Sequence, residues 1–240
     1  MKQRLDQYVV AKGLVRSRSQ AESYIRLGDV TVNGQVVTKA GTMVDDTKQV
    51  ALTAREQYVS RAALKLASVA DVLKINFKDI IMLDVGSSTG GFTEYALKHG
   101  ACKVFAVEVG KDQLHTSLHG NPKIELHEQT DIRDFTTDEP IDVVVMDVSF
   151  VSLREILPHV ATLCSGKTDI IAMVKPQFEA ASSNLKHKGV IKNDRMRRDI
   201  LRDFEQWAVG SGFVIIDKAD SQVAGSKGNV ERFYKLRLSR

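Results

Sequence analysis

The chain has 240 residues and a mass of 26.6 kDa, with 43% hydrophobic residues, which is enough for one substantial core and a small appended module. A formal net charge of +4 and a pI near 9.0 permit a polyanionic partner without requiring one. No apolar run nears the ~18 residues that a membrane-spanning helix needs, and the opening Met-Lys-Gln-Arg-Leu-Asp lacks a signal-peptide core, so a cytoplasmic location and no membrane partner are expected.

From Arg4 to Gly13 and from Ser17 to Gly28, apolar residues recur at helical spacing, and each run closes on glycine, so a helix pair is expected with Ser17 or Ser19 as cap of the second. Val30-Thr-Val-Asn-Gly-Gln-Val-Val37 then reads as a hairpin turning on Asn33-Gly34. The first 28 residues hold six Lys or Arg (Lys2, Arg4, Lys12, Arg16, Arg18, Arg26) against Asp6 and Glu22, a cationic surface suited to a phosphate backbone. Thr53–Val59 has no glycine or proline and reads as a compact connector, followed by a helix from Ser60, its expected cap, to Ala70. The division expected is 1–55 for the first module, 56–59 for the linker and 60–240 for the second.

Strands and helices alternate in the second module as in a doubly wound α/β sheet. The strands expected are Ile80–Val85, Lys103–Val107, Lys123–His127, Ile141–Asp147, Asp169–Val174, Phe213–Lys218 and Arg232–Leu238. No convincing helix separates the last two, so they should pair antiparallel at one side of a mixed seven-stranded sheet. Cys102 and Cys164 lack disulfide or zinc spacing and are expected to be buried thiols. His115 and His119 lie four residues apart with neither an intervening Glu nor a third ligand, so solvated or capping roles are expected and no metal.

Ile80-Ile-Met-Leu-Asp-Val-Gly-Ser-Ser-Thr-Gly-Gly-Phe92 runs from a strand into a glycine-rich turn, without the G-x-G-x-x-G spacing aimed at a pyrophosphate. Glu108 ends the next strand, 24 residues after Asp84, near the spacing at which a carboxylate meets ribose hydroxyls. A ribose without a pyrophosphate points to S-adenosylmethionine. Two later strands end on Asp147 and Lys175, and Lys65 and Glu231 complete a candidate quartet. A neutral lysine amine can take a proton from an alcohol, as methyl transfer to oxygen needs. A second cation beside Lys175 would favour the amine and the two carboxylates the ammonium, and spacing alone leaves that balance open.

Two resemblances sharpen these readings. Arg4-Leu-Asp, Gly13-Leu-Val-Arg-Ser-Arg18, Ala21, Ile25, Gly28-Asp-Val and Val32-Asn-Gly34 resemble the S-four RNA-binding domain, over residues 2 to about 50. Tyr58-Val-Ser-Arg-Ala-Ala-Leu-Lys-Leu66, Asp84-Val-Gly-Ser-Ser-Thr-Gly-Gly-Phe-Thr93, Asp147-Val-Ser-Phe-Val-Ser-Leu153, Val174-Lys-Pro-Gln-Phe-Glu179 and Gly228-Asn-Val-Glu-Arg232 resemble, in order, the motifs of TlyA-type proteins. These are S-adenosylmethionine-dependent ribosomal RNA 2′-O-methyltransferases, often labelled haemolysins, with an FtsJ-like catalytic domain.

The resemblance implies a Rossmann-like methyltransferase fold behind a small α+β RNA-binding domain. It implies that Lys65, Asp147, Lys175 and Glu231 form the catalytic tetrad, with Lys175 as base. It places Asp84, Gly86, Ser88, Gly90 and Phe92 around the methionine end of the cofactor, with Glu108, Asp131 and Asp147 as further cofactor contacts. Asp131 stands where the family has Asn and would accept from the adenine amino group. Arg4, Arg16, Arg18 and Arg26 are the expected RNA contacts, and ribosomal RNA or ribosomal subunits the expected partner; no oligomeric state is implied. Lys186-His-Lys-Gly-Val-Ile-Lys192 and Arg195-Met-Arg-Arg198 form a second cationic tract, either another RNA contact or a solvated helix start. The competing classes are a non-catalytic RNA-binding or ribosome-assembly factor, against which the intact quartet argues, and a membrane-lytic protein, against which the lack of an apolar span argues.

Overall fold

The computed structural model describes residues 2–54, 57–180, 190–191, 193–225 and 228–239. The first module is β1 (Gln3–Arg4), α1 (Leu5–Ala11), α2 (Arg18–Leu27), β2 (Val30–Val32), β3 (Gln35–Val36), β4 (Met43–Val44) and β5 (Val50–Leu52). Ser17 caps α2, its hydroxyl accepting from the Gln20 amide, and Gly28 ends it at φ +83°. Asn33 and Gly34 both adopt positive φ, +52° and +77°, as a tight hairpin turn demands, and the Asn33 side chain also accepts from the Gln49 amide. The other edge of β2 pairs with β5, a strand not expected from the sequence.

The second module comprises α3 (Arg61–Ala70), β6 (Ile81–Val85), α4 (Gly91–Lys98), β7 (Lys103–Val107), β8 (Ile124–His127), β9 (Ile141–Met146), α5 (Leu153–Thr162), β10 (Cys164–Val174), α6 (Pro176–Glu179), α7 (Asp194–Gly210), β11 (Phe213–Asp220) and β12 (Arg232–Leu238). Its seven strands lie in the order β11-β12-β10-β9-β6-β7-β8, with only β12 antiparallel to its neighbours. The apolar runs of β6 and β9 follow from burial on both faces: Met82, Val143 and Val145 join one core, Leu83, Val144 and Met146 the other. The first of these cores also takes in Leu5, Tyr24 and Ile25 of the first module, together with Tyr58 and Ala63. At the connector, the Gln20 amide donates to the Tyr58 carbonyl and the Val59 amide to Glu94.

Several expectations need correction. Ser60 stands at the N-cap of α3, but its hydroxyl makes no cap bond and has no partner among the described residues, because it is pressed against Gly91 of α4. β10 starts at Cys164 rather than Asp169, since Cys164 pairs with Ile141 ahead of a bulge where Thr168 donates to the Ile141 carbonyl. Cys102, just ahead of β7, is exposed rather than buried, and Cys164 is only partly buried, which pushes its thiol up to about 12. His115 caps a short 3₁₀ turn and His119 contacts the Leu114 carbonyl, and no metal-binding cluster occurs among the described residues. Of the tract Lys186–Lys192, only Val190 and Ile191 lie within the described residues. Among the described residues no helix is long and apolar enough to cross a membrane.

Candidate functional site

The chain leaves β6 toward β7 on one side, while β9 returns on the other, and the crevice where the strand order reverses is where open α/β sheets bind ligands. A cleft of about 390 Å³ lies there, walled by the ends of β6, β7 and β9. Gly86 has φ +79°, and a Cβ on it would come within 3.1 Å of the Asp147 carbonyl, so the turn can pass only as glycine. Glu108, at the end of β7, accepts from the Ser88 amide at 2.9 Å and the Gly110 amide at 2.7 Å. Each carboxylate oxygen keeps a lone pair for a ligand hydroxyl.

Gly86, Ser88, Glu108, Asp131 and Asp147 line this cleft. The other three expected cofactor contacts do not. Phe92 points into the core against Phe233, its ring 6.1 Å away, because the first turn of α4 packs onto the sheet. Gly90, at φ +84°, faces Leu114 and Leu118 and starts α4. Asp84 lies behind the wall, 1% exposed, with Oδ2 accepting from the Thr93 hydroxyl at 2.7 Å and Oδ1 without a partner among the described residues. Burial pushes its carboxyl up to about 7, and the charges of Asp147 and Glu108 add to the rise against the Thr93 bond. Asp131 is occupied on both oxygens by Arg133 (2.9 and 2.6 Å), which holds its carboxyl down at about 2.

The four ionic residues form two pairs at the same sheet edge. Lys175 Nζ lies 2.5 Å from Asp147 Oδ1, off the direction of a hydrogen bond, and donates to the Ser149 hydroxyl at 2.8 Å. Lys65 Nζ lies 2.6 Å from Glu231 Oε2. Val174 pairs with Arg232 across β10 and β12, so Lys175 and Glu231 leave adjacent strands at the same edge. All of Lys65, Lys175 and Glu231 are buried. Lys235 of β12 holds the turn that follows α3, its ammonium donating to the Leu73 and Lys74 carbonyls.

Ser149 and Phe150, inside the Asp147–Leu153 motif, are site residues that the sequence did not single out. Phe150 lines the cleft at 92% exposure with φ +67°, a conformation that costs a bulky residue energy, and its ring lies 5.3 Å from that of Phe178. Glu179, expected in a turn that could line the site, does not line the cleft: it is buried after Lys175 and accepts from the Ser152 hydroxyl at 2.6 Å and the Leu153 amide at 2.8 Å, tying down the far end of the Phe150 loop.

The arginines expected to meet RNA are unequal. Arg4 and Arg18 both bond the buried Asp6, at 2.8 and 2.9 Å. Burial pushes the Asp6 carboxyl up, but these bonds outweigh it and hold it low. Arg16 Nη1 lies 2.8 Å from His115 Nε2 of the second module. Arg26 makes no ion pair with any described residue.

Residues as a set fit S-adenosylmethionine. The carboxylates of Glu108 and Asp147 line the cleft and favour a cationic ligand, Asp84 behind it keeps a buried oxygen without a partner among the described residues, and Gly86 clears the wall.

Residues 58–238 match the FtsJ-like methyltransferase family and residues 3–50 the S4 domain. The chain is 42% identical over 181 residues to the 23S rRNA (cytidine-2′-O)-methyltransferase TlyA of Campylobacter jejuni, covering 75% of this chain and 70% of that one. It is 36% identical over 239 residues to the 16S/23S rRNA (cytidine-2′-O)-methyltransferase TlyA of Mycobacterium tuberculosis, covering 98% and 89%. Among solved structures, a Streptococcus thermophilus protein provisionally described as a hemolysin superposes with a TM-score of 0.73 at 33% identity, covering 99% of this chain and 89% of that one.

Proposed function

Because the chain belongs to the FtsJ-like methyltransferase family and carries an S4 domain ahead of the catalytic one, we propose that it transfers the methyl group of S-adenosylmethionine to the 2′-hydroxyl of a cytidine ribose in ribosomal RNA. The observation that carries this reading is Asp147, which lines the cleft while holding Lys175 at 2.5 Å. A cofactor seat and a proton acceptor therefore share one residue.

When bound, S-adenosylmethionine supplies an electrophilic methyl on a positively charged sulfur. Glu108 binds the cofactor ribose through its free lone pairs, Gly86 and Ser88 let the turn lie against the ligand, and the carboxylate of Asp147 favours its cationic end. Lys175 in its amine form would accept the proton from the RNA 2′-hydroxyl as the oxygen bonds to carbon, the carbon–sulfur bond of the donor being the one that breaks and leaving its electron pair on sulfur. It becomes the ammonium that Asp147 and Ser149 are placed to hold. Lys65 and Glu231, paired beside it, orient the ribose. Phe150 offers an open ring face at the cleft mouth on which an unstacked base can rest.

The test is to incubate the protein with labelled S-adenosylmethionine and separated ribosomal subunits, then map any methylated ribose. Lys175→Ala should bind the cofactor as the parent does while transfer falls by about a hundredfold or more. Undiminished transfer would refute the role of Lys175, and cofactor binding without transfer to either subunit by the parent would favour a non-catalytic RNA-binding protein.

A further inference from the structure

A second hollow, of about 80 Å³, lies where α2 of the first module meets α3 and the loop between β11 and β12. Its lining includes Arg26 and Glu22 from α2, Arg61 from the start of α3, and Gly225 and Gly228 from the loop. It adjoins the tetrad: a Cβ on Gly225 would sit 2.7 Å from Glu231 Oε1, and Arg61 precedes Lys65 by four residues, one helical turn on the same face. Neither Arg26 nor Arg61 makes an ion pair with any described residue, whereas Arg4, Arg16 and Arg18 are each engaged. Glu22, the carboxylate in the hollow, leans toward Arg18 at 3.6 Å.

Two arginines from different modules that line one hollow suit a small anion with several acceptor oxygens. The space is far below the roughly 300 Å³ at which small-molecule pockets begin, so it suits one tetrahedral group and not a nucleoside. Glu22 beside it disfavours a dianion more than a singly charged one, which selects a phosphodiester over free phosphate.

We propose that Arg26 and Arg61 together clamp one backbone phosphate of the RNA strand flanking the methylated nucleotide. A single phosphate then spans both modules and sets the strand against Lys65 and Glu231. This rests on the ribose-methylation reading above and adds how the substrate strand is positioned.

The test uses the full chain and its Arg26→Gln, Arg61→Gln and double variants, measuring binding to purified ribosomal subunits across a salt series, with cofactor binding and melting temperature alongside. Each single change should weaken subunit binding about tenfold, and the double little more than the worse single, because one phosphate serves both. The slope of log affinity against log salt should drop by about one in the double variant. Arg61→Lys should keep the slope while losing affinity. Cofactor binding and melting should not move. A double variant about a hundredfold weaker, with a slope changed by about two, would mean two separate phosphates and overturn the clamp, as would unchanged binding. Stabilisation by inorganic phosphate that the double variant loses, with RNA binding intact, would mean a small-anion site instead. If the parent binds subunits but methylates neither, the ribose-methylation reading fails, and the clamp still stands or falls on the binding series.

Discussion

Asp84 ends β6 out of contact with water, with one oxygen unpaired among the described residues and its carboxyl raised by burial to about 7. In the unfolded chain it loses its proton near 3.8, so between these values the folded state holds a proton that the unfolded state has shed. Its contribution to stability is therefore full below about pH 4, declines as pH rises toward 7 and stays lost above. Without cofactor, Asp84→Asn should melt several degrees above the parent at pH 8, since each kcal/mol is worth about 2–4 °C in a chain of this size, and the two should converge near pH 4. Equal melting at pH 8 would show that the carboxylate finds another way to carry its charge. The same residue shows what was legible at this scale: its place at a strand end before Gly86 could be read from the sequence, but not that Phe92, counted beside it, faces the core. One turn of helix separates a cleft-facing position from a buried one, and the packing direction of α4 settles which is which.

At the scale of elements, the site depends on α3 lying close against α4. A Cβ on Gly91 would come within 2.2 Å of the Ser60 hydroxyl and 3.0 Å of both the Ala62 side chain and the Ala63 backbone. The Ala62 methyl therefore forms part of that contact. Gly91→Ala should push α3 outward, and with it Lys65, away from Glu231 on β12. The expected cost is about 1–3 kcal/mol of stability, with a fall in methyl-transfer turnover beyond what the unfolded fraction explains. Parent-like turnover in this variant, measured well below its melting temperature, would mean that the position of α3 is not critical. Strand identity was legible for β6 to β12 because apolar runs bounded by turn residues announce themselves. The start of β10 was not, because the bulge between Cys164 and Asp169 interrupts the pattern.

On the scale of the whole molecule, the two modules read as separate textures in the sequence but share one apolar core that includes Tyr58 and Ala63. Gln20 and Arg16 add polar contacts across the same junction. Unfolding one module alone would expose that shared surface to water. The chain should therefore melt in a single cooperative transition by calorimetry and by circular dichroism. A separate, earlier transition of the N-terminal module would show that the shared core does not couple them.

Local pattern determined most of the elements, the mixed sheet and the glycine turn, and a resemblance in motif order singled out the four ionic residues, because periodicity, turn chemistry and motif order are properties of positions along a chain. Which of those residues touch was decided only by the tertiary structure. Lys65 meets Glu231 and Lys175 meets Asp147 because strand order brings distant termini to one edge. Arg4 and Arg18 are taken by Asp6 while Arg26 lines a hollow together with Arg61, since pairing among charges depends on distance in space and on which partner is buried.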